Sequence, residues 1–279
     1  MKTAYLYMVA AVLLLLAGGF VIFRFRDIPS PPYENSSTST TPFIYSFNVP
    51  GVLEEKGSEE ESTSPYWWLN SGGTFVVKDG VGSTNIGKMN VLNTWRLAYA
   101  RSSATDTGGG YYPQNLFRLI TRTRWQNFRE QAYFKITALN MTESENRNES
   151  NGLLLFSRYV DSDNLYYMGV RVDGTAVIKK KQNGIYHTLA QTKIFEGEYD
   201  RTKSPNLLPV DKWIGIASQV QDIQNGVKLT LYIDTDENGN WKEVLSVNDE
   251  ETPIRARAFA GIRTDFMDVL FKDFVIATL

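Results

Sequence analysis

From Phe43 onward, apolar and polar residues alternate over short segments. FRLITRTRW (117–125), QAYFKITAL (131–139) and VKLTLYID (227–234) send every second side chain to an apolar face, the period of a half-buried β-strand. Shorter runs rich in β-branched and aromatic residues repeat the pattern: TFVV, NLYYMGVRV, TAVIKK, IYHTLA, KWIGIASQV and VLFKDFVIA. Turn pairs separate them at Asp79-Gly80, Asp173-Gly174, Asn183-Gly184, Asn225-Gly226 and Asn238-Gly239. No segment here sustains a helical period. About 13 short strands spaced 8–12 residues apart predict an all-β antiparallel sandwich or barrel, with 43–279 as one domain. The acidic stretch Glu54 to Glu61 and the polar stretch Glu143 to Asn151 read as solvated insertions.

The amino-terminal part differs in kind. Residues 3–23 form an uncharged, largely apolar run preceded by Lys2 and followed by Arg24 and Arg26. About 20 such residues span the roughly 30 Å hydrocarbon core of a bilayer. A cleaved signal would have a shorter apolar region, and the only candidate cleavage site, Ala17-Gly18-Gly19, is followed by more apolar residues. Residues 1–26 are therefore expected to be a single-pass transmembrane helix in the cell membrane. Residues 27–42, rich in Pro, Ser and Thr, are expected to be an extended linker, with the domain on the extracytoplasmic side. Asn35, Asn140 and Asn148 fit the glycosylation acceptor pattern, which matters only in a host that uses it.

Composition removes whole classes of chemistry. The 279 residues include no Cys and one His, which excludes disulfides, thiolate metal sites, a Cys nucleophile and multi-His metal sites. With 29 Lys and Arg against 31 Asp and Glu, the chain lacks the basic excess of a nucleic-acid binder, and no nucleic-acid partner is expected.

Three segments resemble the concanavalin A-like lectin/glucanase superfamily, the jelly-roll group that includes laminin-G-like domains. In NGLLLFSRYVDSDNLYYMGVRVDGTAVIKKKQNGIYHTLA (151–190), two core strands lead to an Asp-Gly turn and a Lys-rich return strand. DKWIGIASQVQDIQNGVKLTLYIDTDENGNWKEVLSVND (211–249) is a Trp-led strand followed by a hairpin. FAGIRTDFMDVLFKDFVIA (259–277) looks like the closing strand pair, with FIYSFNVPG (43–51) as the edge strand beside it. The resemblance covers 43–279 and implies an antiparallel jelly-roll β-sandwich. It specifies fold far better than activity.

Glucanases of this superfamily carry a strand of alternating acids, and no such strand is present. The nearest match, Glu196-Gly-Glu198-Tyr-Asp200, has the wrong order and no apolar context. Lyases of similar fold neutralise a uronate and abstract a proton. Here Tyr186-His187 could supply the base, and Arg122, Arg124, Arg158 and Arg171 could hold the acid. No lyase signature strand is recognisable. A polysaccharide lyase or glycoside hydrolase with a divergent site is thus the alternative to a carbohydrate-binding, lectin-like module.

For the module, rings that stack on sugars and polar groups that bond hydroxyls are the features of interest. Tyr111, Tyr112, Trp125 and Tyr167, with Arg122, Arg124, Arg158 and Arg171, are the candidate ligand-binding residues for a polysaccharide or glycan. Trp67, Trp68, Tyr159 and Tyr166 extend the aromatic set, and Arg118 shares a strand with Arg122 and Arg124. In adjacent aromatic pairs one ring faces the core, so about half are packing. The glycine-rich loop 105–115 is placed at the rim of a cleft. Asp234-x-Asp236-x-Asn238-Gly239 has the opening spacing of a calcium loop, but Leu245 stands where the bidentate Glu belongs. Calcium at Asp234, Asp236 and Asn238 is weighed against a simple hairpin turn.

Overall fold

The computed structural model describes residues 41–279. In chain order its first strands are β1 (Phe43–Tyr45), β2 (Gly51–Glu54), β3 (Trp67–Ser71), β4 (Thr74–Lys78), β5 (Val81–Ser83), β6 (Leu116–Trp125), β7 (Phe128–Leu139) and β8 (Gly152–Asp161). They continue as β9 (Asn164–Arg171), β10 (Thr175–Gln182), β11 (Ile185–Lys193), β12 (Trp213–Ile223), β13 (Gly226–Asp234), β14 (Lys242–Asp249), β15 (Ala258–Asp265) and β16 (Met267–Thr278).

Nine strands form one sheet in the order β14-β13-β12-β7-β16-β5-β4-β2, with β1 also paired to β16. Seven form the other, in the order β11-β10-β9-β8-β15-β6-β3. Every pairing between these strands is antiparallel. This is an antiparallel two-sheet β-sandwich, as the alternation along the chain predicts. β15 and β16 lie side by side in sequence but in different sheets, each inserted at the middle of its own.

The core lies where the inward faces meet. Trp67 and Phe117 from the seven-stranded sheet pack on Phe134, Phe271 and Phe274 from the nine-stranded one, with Trp67–Phe274 centroids 4.8 Å apart and Phe117 stacked on Phe271 at 5.6 Å. Each such side chain contributes about 1.5–3 kcal/mol by leaving water.

Three expectations need correction. A helix is present, α1 (Thr94–Ser102), capped by Asn93, whose side chain accepts from the N–H groups of Trp95 (2.8 Å) and Arg96 (3.3 Å). Tyr99 is its only buried residue, so no apolar stripe announces it. The acidic stretch is built in: Glu55 Oε2 accepts from the Gly72 and Gly73 N–H groups at 2.9 and 2.8 Å and from the Tyr99 hydroxyl at 2.6 Å. In the 143–151 stretch Ser144, Arg147 and Asn151 are buried, and Arg147 donates from Nε to the Thr142 carbonyl at 2.7 Å. Among the described residues no helix is long and apolar enough to cross a membrane. The expected anchor at 3–23 lies outside the described residues, as does nearly all of the 27–42 linker.

Candidate functional site

The seven-stranded sheet is apolar on both faces. In β8, Leu153 and Leu155 point to the intersheet core, so Leu154 and Phe156 point outward. They join Ile120, Tyr159, Leu165, Tyr167, Val177 and Phe259 in a second apolar cluster on the outer face, with Trp68 packed against it. These eight side chains are all buried, so the outer face carries a small apolar core of its own.

The register arranges this face in rows. Across β3, β6, β15, β8, β9 and β10 one row reads Trp68, Ile120, Gly261, Phe156, Tyr167, Lys179. The next reads Arg118, Arg263, Leu154, Gly169, Val177. A Cβ on Gly261 would come within 2.3 Å of the Leu119 carbonyl oxygen, so only glycine fits there, and the floor beside Phe156 stays open.

Along this face runs a groove of about 190 Å³, with Phe156, Tyr159, Leu165 and Tyr186 on its apolar side and Arg118, Lys181, Arg263 and Asp265 on its polar side. Phe156 and Tyr159 ring centroids are 5.1 Å apart, and Tyr167 and Tyr186 are 6.0 Å apart. Tyr186 is about half exposed (49%), whereas Tyr159 and Tyr167 are buried. Burial pushes the Tyr159 and Tyr167 hydroxyls above the usual phenol range, so both remain neutral donors. Burial also lowers the Lys179 pKa, with Arg171 and Arg263 adding like-charge repulsion. Asp265 is the one carboxylate lining the groove, and it holds Arg263, whose Nε lies 3.0 and 3.2 Å from its two oxygens.

The candidate residues divide sharply. Tyr167 belongs to the outer apolar cluster beneath Tyr186 but does not line the groove. Arg124 lies on the outer face, its guanidinium 4.1 Å from the Phe259 ring centroid, but it is bound to Glu59 at 3.1 Å. Arg122 donates to the Ser64 carbonyl at 2.9 Å and faces the same Glu59. Arg171 is taken up by Asp173 at 2.9 Å and the Glu149 carbonyl at 3.0 Å. None of these three arginines lines the groove.

Four others are placed elsewhere. Arg158 is fully buried and corrects the expectation of a ligand-facing arginine. The β8 register shifts between Ser157 and Asp161, Arg158 takes a left-handed φ of 52°, and its side chain turns inward. There it donates to the Gln126 and Ile254 carbonyls, Asn127 and Asp222. The same bulge turns Tyr159 outward into the groove. Trp125 packs against the main core beside Phe43 and Phe128. Tyr111 is held between Lys88 and Arg96, 4.1 and 4.6 Å from its ring centroid. Tyr111 and Tyr112 do not line the groove, and their loop is pinned by buried Thr107, Gln114 and Asn115.

The catalytic and metal candidates resolve similarly. Tyr186 is in the groove, but His187 follows it on β11 and so points to the opposite face. Glu196, Glu198 and Asp200 lie in an exposed loop where Asp200 accepts from the Thr202 and Lys203 N–H groups. Asp234 is used by its own turn. It accepts from the Tyr133 hydroxyl at 2.7 Å and from the N–H groups of Asp236 and Gly239 at 3.1 and 2.8 Å. Asp236 and Asn238 are exposed, and no group of three acidic or His side chains suited to a metal occurs among the described residues. The Asp234–Gly239 segment forms a hairpin turn whose own donors engage Asp234.

The groove residues that escaped notice are Arg263, Lys181 and Asp265. Counting by twos outward from the closing FAGIRTD and TAVIKKK strands places all three on one face, so the signal was present in the parity.

No family model and no curated protein sequence matches the chain. Similar solved structures include carbohydrate binding module CBM66 from Bacillus subtilis, at 14% identity and TM-score 0.43, covering 58% of this chain and 82% of that one. A GH43 protein from Bacillus licheniformis matches at 9% identity and TM-score 0.48 over 90% of this chain, which spans 41% of that longer protein. Winged bean acidic lectin, solved with methyl-alpha-D-galactose, matches at 9% identity and TM-score 0.48, covering 85% and 97%.

Proposed function

We propose that residues 43–279 form a glycan-binding, lectin-like module, and that residues 3–23 and the linker 27–42 hold it on the extracytoplasmic side of the cell membrane. The observation carrying the reading is the groove on the outer face of the seven-stranded sheet. It has Phe156 and Tyr159 on its apolar side, the half-exposed Tyr186, and a polar side of Arg118, Lys181 and Arg263. Aromatic faces suit the C–H surface of a pyranose, and fixed donors suit its hydroxyls.

The test is retention of the full-length chain on an array of immobilised polysaccharides, repeated with Tyr186→Ala. Tyr186 contributes little to the core, so the variant keeps its melting temperature while binding weakens about tenfold, the scale of one lost aromatic contact. Absence of retention on every polymer overturns the reading. For the placement, membrane fractionation followed by protease treatment of intact cells should show a membrane-bound chain that external protease removes.

A further inference from the structure

The two arginines of the groove stand against their own electrostatics. Arg118 on β6 and Arg263 on β15 are direct cross-strand partners on the outer face, where like charges repel and destabilise a sheet. Arg263 is offset by Asp265. The Arg118 side chain makes no hydrogen bond or ion pair with any described residue. Across the groove, Lys181 is shared between Asp163 at 3.0 Å and the Ser162 carbonyl at 2.8 Å. The groove lining therefore holds three cationic side chains and one carboxylate, and the uncompensated charge sits on Arg118.

A residue serving only the sheet would be neutral at this position. A guanidinium offers paired N–H donors in a planar fork that matches a carboxylate, and it keeps its charge at every working pH. Here the fork is free and stands beside a second guanidinium. Tyr159 and Phe156 lie beneath, where a sugar ring attached to that carboxylate would rest.

We propose that the groove recognises an acidic glycan, with Arg118 as the partner of a uronate carboxylate and Arg263 reinforcing it. This rests on the reading of the groove as a glycan site and adds the class of sugar.

The test compares retention of the full-length chain on polygalacturonate and alginate with retention on their carboxyl-reduced forms and on a neutral polymer. The expected result is retention on a uronate polymer that falls about tenfold or more when the carboxyls are reduced, and equally for Arg118→Gln. Arg118→Lys should fall between, and Lys228→Gln, an exposed lysine on the other sheet, should match wild type. Arg118→Gln should melt with wild type, because its guanidinium holds nothing in place. Equal retention on native and carboxyl-reduced polymers overturns this inference and leaves the glycan reading standing. Equal losses for Arg118→Gln and Lys228→Gln also overturn it, since binding would then follow overall charge. No retention on any polymer, acidic, reduced or neutral, removes the glycan reading itself.

Discussion

The ammonium of Lys180 on β10 lies 2.9 and 2.8 Å from the two carboxylate oxygens of Asp249 on β14, bridging the two sheets. Both side chains are almost wholly buried. The Tyr166 hydroxyl donates to the same carboxylate at 2.6 Å and accepts from the Ile254 N–H at 2.8 Å. With no cysteine in the chain, this network joins the sheets at one end where a secreted domain often uses a disulfide.

Removing one partner leaves the other charged and dry. Lys180→Met and Asp249→Leu should each cost about 3–5 kcal/mol in urea unfolding, and the double variant should cost less than the sum. Additive losses would show that the two groups do not interact.

Glu130 makes stability depend on pH in an unusual direction. It is fully buried, and burial pushes its carboxyl up to about 8, against weaker opposition from the Ser218 and Ser157 hydroxyls, which donate to Oε1 at 2.9 and 3.0 Å. The folded state therefore keeps a proton that the unfolded chain releases above its ordinary value of 4.5. The stabilisation is complete below about 4.5 and is lost at about 1.4 kcal/mol per pH unit up to about 8. Glu130→Gln should remove that slope, so the wild-type-minus-variant difference in unfolding free energy isolates it. Parallel pH profiles would refute a protonated Glu130.

Arg158 and Arg118 should behave oppositely. Arg158→Met abandons buried carbonyls and Asp222, and should lower stability by about 3–5 kcal/mol. Arg118→Gln should change it by less than about 0.5 kcal/mol, as a surface substitution without partners does. Chemical denaturation of both variants decides the matter.

The Asp234 turn should be indifferent to calcium. Calcium or a chelator should leave the melting temperature within about 1 °C, because a ligand stabilises only by binding the folded state. Asp234→Ala should still cost about 1–3 kcal/mol through the stranded Tyr133 hydroxyl and turn N–H groups. A calcium-dependent rise in melting temperature would support a metal at this turn instead.

The sandwich was legible because its signals are local. Alternation and turn pairs mark most strands, and Gly80, Gly174, Gly184 and Gly239 all take the positive φ those turns require. What stayed hidden depends on tertiary context. The α1 helix has one buried residue and therefore no period. The bulge at Arg158 reverses parity midway through β8, so the arginine expected at the ligand turns inward and Tyr159 takes its place on the outer face. Glu59, in a stretch read as solvated, occupies Arg122 and Arg124. Which arginines remain free depends on partners far away in sequence.

The positions of β15 and β16 set the order in which this protein can be built. β15 separates β8 from β6, and β16 separates β7 from β5 and β1. During synthesis both sheets remain split, with raw edges, until the last twenty or so residues emerge. Such late, non-local closure makes for slow folding, on the order of milliseconds to seconds. It also acts as a completeness check: a product stopped short of residue 258 has no middle to either sheet and cannot pass as finished.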